Sequence, residues 1–506
     1  MFSMAPPHLR KVALAALVVA VGLALRVFLL RSGFGDLNGD EAYAGLQSLG
    51  VLRDGRFPVV IDGNVYSAVI EAYLFSPVLV FAGGSVVVLK MLFVGMWGVA
   101  AVATRGAARR LIDRRAAALA GALIWLAPGA MMVLSTRAYV CYGLGLAVAA
   151  GTVWATAVVA DQPTPAPRAS AAVGFLAGLG FYIHPMFITV LIPVVSVAAL
   201  VHRRHLRRWW LPAVAAALAA NVPFIGWNAA NGWPSLQSQL YPPGSYLDRL
   251  TGFITGLLPR GFGLRTFDGR WVFGKPLGVL IYAVIIGAVV YGCVVLVRGG
   301  RRPSRWIVPV ALISCLPLMA MLPHLIYVLD GRYTILPFPF VAIAVSAAAS
   351  SVVRLAEGSS REGSARAERR ATAALVGVAA LWVAGTTVPF MQRQQAFDRV
   401  DANAWQRAVI NRLDEVGIDR VAGAYWLVLP IEYRSDQAIR TAVAGNPYVI
   451  RFPLSQRLVE QTPPEQVAFL FAPGTPDPVW FYLPVDEYRQ EDLGGVILYL
   501  PPAAEG

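Results

Sequence analysis

The chain has 506 residues, of which 57% are hydrophobic and 14% charged, and a mean hydropathy of +0.59. That balance excludes an ordinary soluble domain and fits a chain that crosses a membrane many times. The formal charge of +14 does not imply nucleic acid, because the arginines stand in short clusters between apolar runs, where they set topology.

In chain order the apolar runs predict eleven spans, at roughly 11–30, 86–104, 116–134, 138–160, 171–183, 185–201, 211–228, 276–297, 306–323, 333–353 and 372–390. The first run is long, lacks a small-residue cleavage site and is followed by further spans, so it reads as a membrane helix rather than a cleaved signal. The pair 171–183 and 185–201 is separated by "YIHP", where Pro185 disfavours continued helix. Four arginine clusters (105–115, 203–208, 298–305 and 354–370) then fall on the side of the N-terminus, which the positive-inside rule makes cytoplasmic. Loops 31–85, 229–275 and 324–332 and the tail after 390 are expected on the exoplasmic side. The three cysteines (Cys141, Cys293, Cys315) all lie in apolar segments, so no disulfide framework or metal–thiolate site is expected. No cluster has metal-ligand spacing and no glycine-rich loop could cradle a nucleotide phosphate.

Loop 31–85 opens with "LNGDEAYAGLQSLGVLRDG". Asn38 and Glu41 have the spacing of a capping box, and Ala42, Leu46 and Leu49 form an apolar stripe, predicting a helix lying in the membrane interface. Capping accounts for Glu41 and only partly for Asp40, which favours the helix N-terminus by charge. The functional alternative is a general base at the water–membrane boundary. "NVYSAVIEAYLFSPVLVFAG" predicts a second interfacial helix, apolar but for Glu71, whose desolvation cost argues for a functional role. Arg137 and Arg332, flanked by Tyr139 and Tyr333 at the mouths of spans, are candidates to grip a phosphate. Arg53 and Arg56 read as ordinary headgroup anchors, and His184 in "YIHP" reads first as a turn residue. In the tail, "DANAWQRAVINRLDEVGI" predicts an amphipathic helix with Trp405, Val409, Leu413 and Val416 on one face. The runs "VAFLF", "VWFYL" and "GVILYL" predict strands, giving a small α/β domain.

These pieces, in this order, resemble the polytopic C-type (GT-C) glycosyltransferases, specifically the bacterial protein-O-mannosyltransferase-like group (glycosyltransferase family 39-like), to which the aminoarabinose-lipid A transferase is related. The likeness rests on "GDEAY" after the first span, "EAYL" in the second juxtamembrane helix, "STRAYVCYGLGLAV", "DGRYTILPFPF" and the tail stretch "AYWLVLPIEYRSDQAIRTA". It implies a membrane all-α polytopic fold of about eleven helices over residues 1–390 and an exoplasmic α/β domain over 391–506. It implies transfer of a sugar, with inversion, from a polyprenyl-phosphate donor to an extracytoplasmic acceptor: a cell-envelope glycan, a glycolipid or a protein. Carried over by position, Asp40 and Glu41 are the catalytic pair, with Asp40 the base. Tyr43, Glu71, Arg137, Tyr139, His184, Arg332 and Tyr333 contribute to substrate binding. The second juxtamembrane segment lacks the lysine with which some relatives bind phosphate, leaving the donor-phosphate partner open. Some members of the superfamily use a divalent metal and others none, so the acids leave the cofactor open. The implied location is the bacterial inner membrane, with the N-terminus cytoplasmic.

Two rivals come from other classes. A transporter or lipid flippase would place ionisable residues near the middle of several spans, whereas the acids here gather in loops. A non-catalytic envelope scaffold is opposed by the presence of "GDEAY" and Glu71.

Overall fold

The computed structural model describes residues 7–237, 244–322, 331–358, 364–398, 400–444, 450–475 and 487–502. They fall into two compact units. The first comprises Met1–Phe28, Val94–Ser135 and Tyr142–Phe397, and the second Leu29–Phe93, Thr136–Cys141 and Asp398–Gly506.

The first unit is helical. Among the described residues of the chain, seven helices are long and apolar enough to cross a bilayer: Val12–Leu30, Val86–Leu111, Tyr142–Ala160, Lys275–Arg298, Pro303–Met321, Phe338–Leu355 and Arg370–Arg393. An eighth is reached if Leu206–Ala220 and Val222–Ala230, bent by 56°, count as one broken span. The chain is thus a multi-pass membrane protein. Three of the eleven predicted runs take other forms. The run 116–134 is two helices, Arg114–Trp125 and Gly129–Leu134, broken at Pro128, and Pro167–Ile183 and Pro185–Val201 are shorter apolar helices. Burial separates lipid-facing helices from central ones: 22% of Lys275–Arg298 is buried, against 78% of Tyr142–Ala160. Small residues let backbones approach. A Cβ on Gly174 or Gly178, one turn apart, would meet the carbonyls of Ala213 and Ala217 at 1.9 and 2.5 Å, so Pro167–Ile183 packs directly on Leu211–Ala220.

The second unit joins the first loop to the tail. Its elements are α1 (Gly39–Arg53), α2 (Ile70–Phe81), α3 (Val86–Leu111, of which the first turns belong here) and α4 (Ala404–Glu415). After these come β1 (Arg420–Gly423), α5 (Tyr425–Arg434), β2 (Arg440–Val443), α6 (Pro453–Glu460), β3 (Ala468–Phe471), β4 (Arg489–Asp492) and β5 (Ile497–Leu500). The sheet order is β2-β1-β3-β5-β4, with β1 parallel to both β2 and β3, and β5 antiparallel to β3 and β4. The chain leaves β1 for β2 on one side and returns through α6 to β3 on the other, which makes the β1/β3 boundary the topological switch point. The predicted tail helix and two of the three predicted strands are present, and "VWFYL" lies outside the described residues.

The predicted interfacial helix differs. α1 is buried on every side from Glu41 to Val51, between α2 and α5. Its small residues permit this. A Cβ on Gly39 would come 2.8 Å from the Tyr425 carbonyl oxygen, and one on Gly45 2.2 Å from the Tyr433 ring. α2, by contrast, exposes Leu74, Val78 and Phe81 and buries Glu71, Phe75 and Leu79. At twelve residues it is about 18 Å long, too short to span a bilayer core of about 30 Å.

Candidate functional site

The start of α1 forms the predicted capping box. The Glu41 N–H donates to Asn38 Oδ1 (3.1 Å) and the Asn38 N–H donates back to Glu41 Oε2 (3.3 Å). Asn38 is held in turn by its amide, which donates to the Tyr139 hydroxyl at 3.0 Å.

Capping is a small part of what Glu41 does. Lys90 Nζ, from the first turns of α3, donates to Oε1 at 2.7 Å, and so does the Ala138 N–H at 2.8 Å. Arg137 Nη1 donates to Oε2 at 3.1 Å. With the Asn38 N–H, four donors fill the acceptor sites of a carboxylate whose side chain is wholly buried. Burial alone would raise this carboxyl, but Lys90, Arg137 and the Ala138 N–H outweigh it and hold it below the ordinary 4.5. Arg137 also donates to Asp36 Oδ1 (2.7 Å) and to the Asp36 carbonyl (3.0 Å), which Lys90 shares at 2.8 Å. Burial disfavours the charge on Arg137, and the two carboxylates more than restore it, so its proton is held more tightly than usual. Two anions and two cations therefore close a balanced knot. Its arrangement suits Glu41 as the anchor of α1 rather than as a proton carrier.

Asp40 has a different setting. It is half-buried, and its Oδ1 accepts a hydrogen bond of 2.9 Å from the Tyr425 hydroxyl, at the first residue of α5. Burial and the adjacent Asp40 charge push the Tyr425 phenol far up, so it remains a donor. A carboxylate held at a fixed orientation beside a saturated neighbour is what a general base requires.

Glu71 is the second buried acid. Its Oε1 accepts from the Cys141 N–H at 2.8 Å, while Oε2 is buried with no hydrogen-bond partner. Burial pushes this carboxyl up to about 7, against the smaller opposing effect of backbone N–H groups. Tyr43 faces elsewhere. Its hydroxyl accepts from the Asp62 N–H (3.0 Å) and its ring meets Phe452 edge-on at 5.6 Å, fastening the loop segment around Asp62 to the tail.

Of the expected site residues, Asp40, Glu41, Tyr43, Glu71, Arg137 and Tyr139 thus belong to the second unit, and His184, Arg332 and Tyr333 to the first. His184 Nδ1 accepts from the Met186 N–H (3.1 Å), the turn role its sequence context suggested. The Arg332 guanidinium lies 5.6 Å from the centre of the Tyr333 ring, which packs against Tyr142 at 6.3 Å. The Cβ of Arg260 lies 3.3 Å from the Cβ position of Gly331, while its guanidinium reaches Gly269 instead. Two contributors were not anticipated: Lys90 and Tyr425. Lys90 did carry a signal, being one of only three lysines in the chain and standing within an apolar run. Tyr425 stands in the tail stretch that carries the resemblance, but nothing local tied it to Asp40, 385 residues away. Among the described residues, no group of three or more His, Cys, Asp or Glu side chains could hold a metal ion.

The chain is a polytopic membrane protein whose fold is that of solved structures of ArnT. The apo structure of ArnT from Cupriavidus metallidurans matches with a TM-score of 0.63 over 98% of this chain and 99% of that one, at 15% identity. ArnT from the same organism bound to undecaprenyl phosphate matches with a TM-score of 0.59 over 96% and 98%, at 14% identity. The Archaeoglobus fulgidus oligosaccharyltransferase tethered to an acceptor peptide containing the NVT sequon matches with a TM-score of 0.50 over 90% and 68%, at 16% identity. No protein-family model and no curated protein sequence matches the chain.

Proposed function

We propose that this protein is an integral-membrane glycosyltransferase that moves a sugar from a polyprenyl-phosphate donor to an acceptor hydroxyl outside the cytoplasm. The observation that carries the reading is Asp40, half-buried and oriented by the Tyr425 hydroxyl, in a chain that shares its fold nearly end to end with ArnT. The undecaprenyl phosphate seen in one ArnT structure supports the donor class.

In the proposed reaction Asp40 accepts the proton of the acceptor hydroxyl. The oxygen forms a bond to the anomeric carbon as the bond from that carbon to the phosphate oxygen breaks. Configuration inverts, and polyprenyl phosphate leaves with the electron pair. Charge then develops on the leaving oxygen, where fixed cations lower the barrier. We assign Arg332 to the leaving phosphate, and Arg137, within the Asp36–Glu41–Lys90 knot, to holding the loop that carries Asp40. Glu71 and Tyr139 contribute to substrate binding, and Glu41 and Tyr43 hold the loop that carries Asp40. We place the protein in a bacterial inner membrane; with the broken and shorter runs counted as crossings, the arginine clusters support a cytoplasmic N-terminus and exoplasmic residues 31–85 and domain after 390.

The test uses the full chain in lipid nanodiscs with a panel of radiolabelled polyprenyl-phosphate sugars and crude envelope extract as acceptor. Release of label from one donor by the wild type, lost in Asp40→Asn, establishes the class and names the sugar. Release from none, by folded protein, overturns the reading and favours a scaffold or transporter.

A further inference from the structure

The base in a glycosyl transfer touches the acceptor, not the donor phosphate, so whatever adjoins Asp40 is on the acceptor side. What adjoins it is the tail. The turn after β1 (Gly423–Ala424) leads directly into Tyr425 and Trp426 at the start of α5, and this turn stands at the switch point of the parallel strands. That is the position where open α/β sheets present ligand-binding residues, outside the carboxyl ends of the strands. Two contacts tie the turn to Asp40: the Tyr425 hydroxyl on Oδ1 at 2.9 Å, and the close approach of Gly39 to the Tyr425 backbone and ring.

Trp426 is the residue these contacts leave unexplained. Its ring stands edge-to-face on Tyr425, with centroids 5.0 Å apart. It is 52% exposed, whereas Tyr425 and Tyr433 of the same helix are buried. A helix that buries nearly every other large side chain presents one indole, next to the ring that orients the base. A flat, exposed aromatic face with a polar group at its edge is the surface on which the C–H face of a pyranose lies, with its hydroxyls left to reach outward.

We infer that the β1–α5 turn of the tail is the acceptor subsite of the transfer reaction, with Tyr425 orienting the Asp40 carboxylate and Trp426 stacking on a sugar ring of the acceptor. The inference rests on the proposed glycosyl transfer and specifies its acceptor: the hydroxyl that Asp40 deprotonates is carried on, or next to, a saccharide. Tyr425 is a positioning residue, since it acts through Asp40, and Trp426 is a binding residue.

Binding can be read without turnover. Saturation-transfer NMR on the full chain in nanodiscs, with methyl α- and β-hexopyranosides as probes, should give a saccharide signal for wild type and for Asp40→Asn. Trp426→Ala should weaken it about tenfold, and Trp426→Phe should keep most of it. Equal signals for wild type and Trp426→Ala overturn the inference, as does no saccharide signal from any probe. Stronger quenching of the wild type than of Trp426→Phe by brominated lipid would also overturn it, making Trp426 a membrane anchor. In the transfer assay, Trp426→Ala should raise the half-saturating amount of envelope extract about tenfold and leave that of the donor unchanged. Tyr425→Phe should lower maximal turnover with little change in either. Failure of the transfer reading shows as no Asp40-dependent release, whereas failure of this inference shows as Asp40-dependent release that is indifferent to Trp426.

Discussion

Replacing Lys90 by methionine keeps most of the side-chain volume and removes one of the two cations that balance Asp36 and Glu41. Glu41 then stays buried, with its Oε1 losing a charged donor at 2.7 Å and only Arg137 opposing two carboxylates. Removing one partner of a buried ion pair leaves an uncompensated charge and costs about 3–5 kcal/mol. Glu41→Gln has the mirror effect, leaving Lys90 and Arg137 against Asp36 alone. Lys90→Met combined with Glu41→Gln returns the cluster to one anion and one cation, so the double variant should be more stable than the sum of the singles predicts, by about 1–3 kcal/mol. The assay is thermal unfolding of the four proteins in identical nanodiscs, read by intrinsic fluorescence, with the second unit followed separately by limited proteolysis of the tail. Singles that melt with the wild type, or a double whose loss is the plain sum, would refute the balanced knot. Arg137 would then be restored as a candidate phosphate ligand.

Glu71 makes a pH prediction of opposite sign to that of Glu41. Its carboxyl is raised from 4.5 to about 7, so the native state binds the extra proton and stability is full below pH 4.5 and lost as pH rises through about 7. The loss above that pH is about 3 kcal/mol, and Glu71→Gln should abolish it, which chemical unfolding at pH 5 and pH 8 will show. Glu41 is depressed instead, so its contribution is present above 4.5 and falls away on acidification, and Glu41→Gln should flatten the acid side of the same profile. Gly39→Ala would thrust a methyl group to within 2.9 Å of the Tyr425 ring, and should reduce transfer more than it reduces the thermal midpoint. Arg332→Ala should lower maximal turnover by tenfold or more while leaving folded yield intact. Equal turnover per folded protein would remove the leaving-phosphate assignment.

What the residues dictated by themselves is what depends on near neighbours along the chain. The multi-pass character came from long apolar runs, the α1 start from the Asn38–Glu41 spacing, the tail helix and strands from their periods of 3.6 and 2. Each is a local interaction, visible within one or two turns. The helix breaks at Pro128 and between Ala220 and Val222 shortened or bent runs that hydropathy reads as continuous. The charge partners were decided only in three dimensions. Glu41 meets Lys90 and Arg137 across 49 and 96 residues, and Asp40 meets Tyr425 across 385. No periodicity encodes such pairings, because they depend on which surfaces the packed chain brings together. The same packing turned α1 from an expected interfacial helix into a buried one, since Gly39 and Gly45 give the tail's tyrosines room to close over it. It thereby divided two adjacent acids that look alike in "GDEAY" into an anchor, Glu41, and an oriented carboxylate, Asp40.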